Sequence, residues 1–334
     1  MKTKQMSAVY LAMAGLLLAV GNVSAATQTV TNGILTVSIS DAGGNIGQFT
    51  VTTGDSHPNP SQTVFYPIGT SNITLRDVGA AVMWSNDGSA PAAGLAGYTA
   101  TTMNTQPAAV TPIGTNGFRT TYTLPNFTVV QDVVIDGTTL ADTNVRHTIS
   151  VTNNSAASRQ YGVRNMWDWQ IADNDASYFR QRSPDTAFTD VFSTFVAPAF
   201  THYEMVDDLT TPAFSVFGTV HGGSLSPQPT PPDQLRYSSW SAAINSAWDF
   251  DNTGSAIDSA VFYYWGFDTP LTLAPGATGT HTQYVATVLG AVGGAASGST
   301  SIPTLTEWGL MTMSLLLAGL GYRQLRRPKA GTVA

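Results

Sequence analysis

Three short stretches of this chain hold side chains whose types and spacing could do chemistry. The densest is Trp167-Asp168-Trp169, followed by Asp173-Asn174-Asp175. On one extended strand the two indoles share a face and Asp168 lies on the other. Aromatic faces stack on the C–H surfaces of sugars while Asp and Asn bind hydroxyls, so Trp167, Trp169 and Asp168 are a candidate glycan-binding platform. The plainer and favoured assignment packs both indoles in the core and makes Asp173-Asn174-Asp175 a turn. The second stretch, Asp249-Phe250-Asp251-Asn252-Thr253-Gly254, offers oxygen donors at Asp249, Asp251 and Thr253 with a Gly after them. That spacing matches the first half of a calcium loop. Ala260 stands where such a loop carries its bidentate acid, although Asp258 could compensate from another geometry. A plain Asx turn accounts for the same letters. In the third, His202 and Glu204 are two apart, on one face of a strand, and could do acid–base work on a sugar. Nothing in the sequence supplies a supporting third group. His57, His147, His221 and His281 are scattered without metal-ligand spacing. Neither a Gly-rich phosphate loop nor a Gly-x-Ser-x-Gly elbow occurs. No residue is assigned a catalytic role, and the chain is expected not to be an enzyme.

The elements that must position these residues are strands. Apolar and small polar residues alternate over 34–39 and 49–52, with Asp41-Ala42-Gly43-Gly44-Asn45 between them as a hairpin loop. Further strands are expected over 63–66, 72–78, 119–124, 127–135, 145–152, 160–171, 214–220, 260–267 and 280–289. The segment 186–208 is expected to include a long loop, and Pro227 to Pro232 forms a Pro-rich one. Helix signals are scarce and no internal repeat is evident. Many short strands with turns between them predict an all-β fold, an antiparallel β-sandwich over residues 27–289.

Composition narrows the function classes. Between Thr27 and Ser301 there are eight Arg, no Lys, 19 Asp and one Glu, a formal charge of −12. An acidic, Lys-free body repels phosphates, so no nucleic-acid partner is expected. The chain has no Cys, which excludes disulfides, thiol nucleophiles and Cys-ligated zinc. Its stability must come from burial, and a domain of this size can bury most of its apolar surface.

The two ends carry transport signals. Lys2 and Lys4, the apolar run Ala8 to Val20 and the small residues Val23-Ser24-Ala25 form a signal peptide over residues 1–26. Its partners would be an export translocon and signal peptidase. Gly290 to Ser301 reads as a flexible Gly/Ala/Ser/Thr linker. Then come Ile302-Pro303-Thr304-Leu305-Thr306-Glu307-Trp308-Gly309, an apolar run from Leu310 to Tyr322, and the basic tail Arg323, Arg326, Arg327 and Lys329. As a helix the run spans about 20 Å against a bilayer core of about 30 Å. It is nevertheless bracketed by Trp308 and Tyr322, and its one-sided charge predicts a cytoplasmic end. A shallow single transmembrane helix over 310–322 is expected.

These last residues resemble the IPTL-CTERM protein-sorting domain of Gram-negative bacteria, whose usual form is Ile-Pro-Thr-Leu-Ser-Glu-Trp-Gly before a transmembrane helix and an Arg-rich end. Thr306 replaces the Ser. The resemblance covers about residues 301–330 and implies processing by an exosortase-type enzyme, transient anchoring in the inner membrane, and then a place at the cell surface or outside the cell. Extracellular polysaccharide, made by bacteria with such systems, is the implied neighbour. A weaker resemblance, to galactose-mutarotase-type sandwiches, rests on Val145 to Asp168 and Leu273 to Leu289. It implies the fold, and a family that uses His and Glu.

Overall fold

The computed structural model describes residues 27–294 apart from 69–70, 90 and 256–257. The signal peptide, the sorting motif, the apolar run 310–322 and the basic tail lie outside the described residues. Among the described residues no helix is long and apolar enough to cross a membrane.

Two large sheets make the body. One runs, edge to edge, through Tyr178–Arg182, His202–Val206, Ser215–Thr219, Thr278–Ala286, Asn144–Asn153, Phe127–Asp136, Gly117–Thr123 and Ala108–Ile113. The other runs through Ser193–Val196, Gln234–Ser239, Ser259–Trp265, Arg159–Asp168, Asn72–Asp77, Val82–Ser85 and Thr99–Thr102, with Leu271–Leu273 added beside Arg159–Asp168. Pairing is antiparallel except between Val82–Ser85 and Thr99–Thr102. A three-stranded sheet, Thr27–Thr31, Leu35–Ser40 and Phe49–Thr53, adds Val37, Ile39 and Val51 to the same core. The predicted antiparallel sandwich is what forms.

Rings interlock between the large sheets. Trp167 meets His147 at 6.1 Å between centroids, and Trp265 stacks on His281 at 4.7 Å. The second sheet is buried on its outer face as well. There Met83, Met166, Trp248, Phe262 and Tyr264 form a separate cluster, covered by side chains such as Leu95, Tyr98, Trp240 and Phe250. Burial on both faces is why Ala260-Val261-Phe262-Tyr263-Tyr264-Trp265 is apolar without alternation. Packing is close enough to need a glycine: a Cβ on Gly162 would meet the Trp248 ring at 2.8 Å.

Three expectations need correction. The segment 186–208, expected to include a long loop, contains two paired strands, Ser193–Val196 and His202–Val206, with only short stretches around them. Thr63 to Tyr66 makes only single bridges, Thr52 to Thr63 and Phe65 to Trp169. The linker does not begin at Gly290, because Leu289–Val292 is a 3-10 turn with Ala291 and Val292 buried. The amide of Asn144 donates to the Ala291 carbonyl at 2.9 Å, so the packed body reaches past its expected end.

Two buried histidines give the body an acid limit. Burial holds His147 down to about 3 and His281 down to about 4. The unfolded chain takes up both protons near pH 6.5, whereas the folded chain does so only below pH 4. Stability is therefore full above pH 6.5 and falls as pH drops from 6.5 toward 4, by on the order of 5 kcal/mol. Urea midpoints at neutral pH and near pH 4.5 measure this. His281→Phe should flatten the slope, and an unchanged midpoint would remove the account.

Candidate functional site

The carboxylate oxygens of Asp168, Asp175 and Asp258 lie within 4.8 Å of one another, and among the described residues no other three His, Asp or Glu side chains converge in this way. Each comes from a different place. Asp168 ends the strand Arg159–Asp168, Asp175 sits in the turn that follows, and Asp258 stands just before Ser259–Trp265. Strand alternation puts Trp167 and Trp169 toward the inter-sheet core and leaves Asp168 on the opposite face. The backbone then laces the three segments together. Trp169 N–H donates to the Ser259 carbonyl at 2.9 Å, Ser259 N–H to the Asp175 carbonyl at 2.7 Å, and Trp240 N–H to the Asp258 carbonyl at 2.9 Å.

The three acids line a pocket of about 170 Å³ together with Tyr66 and Trp240, and among the described residues no basic side chain lines it. Burial, and then the charge of Asp175, pushes the Asp258 carboxyl up to about 6. Burial also raises Asp175, whose Oδ1 is buried without a hydrogen-bond partner. Burial and like charge both disfavour ionisation, so Asp258 and Asp175 take up protons at a higher pH than ordinary carboxyls do. The chemistry available here is reversible proton uptake next to two aromatic rings.

The sequence had marked Asp168 and Asp173 to Asp175 in one stretch and Asp258 in another, and only the fold joins Asp258 to them. Tyr66 and Trp240 carried no signal. The glycan platform is corrected: Trp167 and Trp169 are both 0 % exposed, packed on Phe65, Tyr263 and Tyr203, and a buried indole offers no face to a sugar. At the expected calcium loop, Asp249 Oδ1 accepts from Arg236 at 2.8 Å and from Phe250 N–H at 2.9 Å, while Thr253 donates to Asp251 at 3.3 Å. Asp249, Asp251 and Thr253 thus make local contacts, with Arg236 taking the charge, and Asp258 turns away to the other cluster.

His202 and Glu204 are each committed elsewhere. His202 contacts the Thr201 hydroxyl through Nδ1 and the Val292 carbonyl through Nε2, both at 2.8 Å. Glu204 Oε2 accepts from Arg180 Nε at 2.7 Å and Arg182 Nη1 at 3.1 Å, with the Glu204 side chain 6 % exposed. Glu204→Gln leaves two guanidinium groups facing each other over a neutral amide, in a partly dry setting. The expected cost is about 3 kcal/mol, read as a lower urea midpoint. A variant as stable as the parent would mean that the triad is solvated and idle.

Residues 300–327 match the IPTL-CTERM motif. The chain thus carries the C-terminal sorting signal of an exported protein, joined to an antiparallel β-sandwich. No curated protein is a sequence match to the chain. Similar solved structures include a protein from Synechocystis (9 % identity, 79 % of this chain and 97 % of that one, TM-score 0.46). Others are a galactose mutarotase-like protein from Lactobacillus casei (10 % identity, 78 % and 99 %, TM-score 0.43) and an aldose epimerase homologue from C. elegans (9 % identity, 79 % and 98 %, TM-score 0.41).

Proposed function

We propose that this protein is an exported, non-catalytic component of the cell surface or extracellular matrix, held briefly in the inner membrane and processed at its C-terminus by an exosortase-type enzyme. The observation that carries this reading is the sorting motif at residues 300–327. On it, Ile302 to Gly309 are read by the processing enzyme, the run 310–322 anchors, and Arg323, Arg326, Arg327 and Lys329 stop transfer. A non-catalytic role is supported by the pair that the sequence offered for acid–base work: His202 is tied to a carbonyl and a hydroxyl, and Glu204 to two arginines. The intact mass of the protein recovered from its native host tests the reading. A mass ending near Ile302, or one carrying an added group there, supports it, and an unmodified full-length C-terminus on surface-displayed protein overturns it.

The rival is a carbohydrate-binding module, favoured by one observation: Tyr66 and Trp240 line an acidic pocket, a ring-and-carboxylate combination suited to a sugar. A glycan array separates the two. Binding lost on Trp240→Ala favours the module, and no binding by the parent protein removes it.

A further inference from the structure

The acidic pocket has a property independent of sorting and of any sugar. Its three carboxylates are pressed together by the main chain, since Ser259 N–H is bonded to the Asp175 carbonyl, Trp169 N–H to the Ser259 carbonyl and Trp240 N–H to the Asp258 carbonyl. Their oxygens cannot part by more than side-chain rotation allows unless those backbone bonds open. The titratable groups facing one another are Asp168 from the second sheet, Asp175 from the turn after it, Asp258 from the segment entering Ser259–Trp265, and the Tyr66 phenol from the loop opposite. Trp240, from the short helix Trp240–Ala243, completes the wall, and among the described residues no basic side chain lines it.

We propose that Asp168, Asp175 and Asp258 form a proton-operated latch: with a proton held among them the three segments stay laced, and once it leaves to solvent they loosen and open the pocket lined by Tyr66 and Trp240. Two like charges at a few ångströms in a half-buried setting repel appreciably even with solvent screening. Asp175, Asp258 and Trp240 lie in the parts of the fold best able to yield, a turn, a loop end and a single helical turn, against the strand end that carries Asp168. The Asp258 carboxyl, pushed up to about 6, places the change at mildly acidic pH, and burial raises Asp175 in the same direction. Its sign is opposite to that of the whole molecule. The buried histidines make the body more stable as pH rises through 4 to 6.5, whereas the latch weakens over the window from about 4 to 6 and just above.

That opposition makes the test specific. Hydrogen exchange of the full chain is followed at the Trp240 and Ser259 amides, in chelator, from about pH 5 to about pH 7.5, after correction for intrinsic exchange. Protection at these two amides should fall by about tenfold on going to the higher pH, a discounted value because Asp258 is partly exposed. Amides of the central strands should show no such fall. Asp258→Asn and, separately, Asp175→Asn should each abolish the local pH dependence while leaving the strands protected. The latch is overturned if Asp258→Asn keeps the parent's pH profile, or if the parent's protection is flat across this range. It is equally overturned if added calcium restores full protection at the higher pH, since the cluster would then be a cation site and not a proton latch.

Discussion

Full-length chains carrying Pro303→Ala should accumulate uncut, with the processed form reduced at least about tenfold, the effect of losing roughly 1.4 kcal/mol of recognition. A processing enzyme must bind its target as an extended segment. Pro303 disfavours helix at Ile302 and so keeps the approach to the motif open. With Ala in its place the helix expected over Leu310 to Tyr322 can extend backward, and the cleavage region is drawn into it. A second substitution reports on the other half of the signal. Arg323, Arg326 and Arg327 changed together to Gln remove the one-sided charge, and each Arg costs about 2.5–3.5 kcal/mol to carry to the centre of a bilayer. The three Arg therefore give the wild-type tail a barrier of about 8 kcal/mol or more against slipping through, and the triple variant keeps only the share of Lys329. The measurement is intact mass and fractionation of cells making each variant. Wild-type mass and location for both variants would sink the sorting account.

Trp167→Ala should destabilise the sandwich by about 3–5 kcal/mol. The indole is 0 % exposed and its ring sits 5.3 Å from Phe65, 6.0 Å from Trp169, 5.0 Å from Tyr263 and 6.1 Å from His147, so it ties the two large sheets together. Against a typical total of about 5–15 kcal/mol this is a large fraction, and for a body of this length it lowers Tm by about 10 °C. Trp167→Phe, which keeps a ring in place, should recover much of the loss. Calorimetry on the two variants decides the matter. An unchanged Tm for Trp167→Ala would mean that the ring does not fill the core, and would return it to the surface role that its burial now denies.

Two long strands with one wet face were legible, although Thr27–Thr31, Ala108–Ile113 and Ser193–Val196, short and Thr-, Ala- or Ser-rich, were missed. Phe127–Asp136 and Asn144–Asn153 alternate buried and half-buried residues almost throughout, and both stand where the periodicity put them. Strands whose faces are both covered gave a weaker signal. His202–Val206 and Gln234–Ser239 are buried at every position and contain His, Glu, Gln and Arg, so neither alternation nor an apolar run revealed them. Two of their charged groups pair with distant partners: Glu204 with Arg180 and Arg182, Arg236 with Asp249 and the Phe250 carbonyl. Local pattern cannot anticipate such pairings.

The sequence alone settled what another protein reads from it as a linear string. The motif from Ile302 to Gly309 with its basic tail needs no fold to be recognised, and the match at 300–327 depends only on order along the chain. It also settled that Trp167 and Trp169 face away from Asp168, because side chains on a strand alternate. Which of those faces is dry was decided only by the tertiary structure. Both are covered, one by the opposite sheet and one by side chains such as Tyr98, Trp240 and Phe250, a fact that lies in chain crossings far apart in sequence. The meeting of Asp168 and Asp175 with Asp258, more than 80 residues later, is of the same kind: it depends on the register of Arg159–Asp168 against Ser259–Trp265, which pairs Asp168 with Ala260. A strand's own letters fix its period, but its neighbours fix its surroundings.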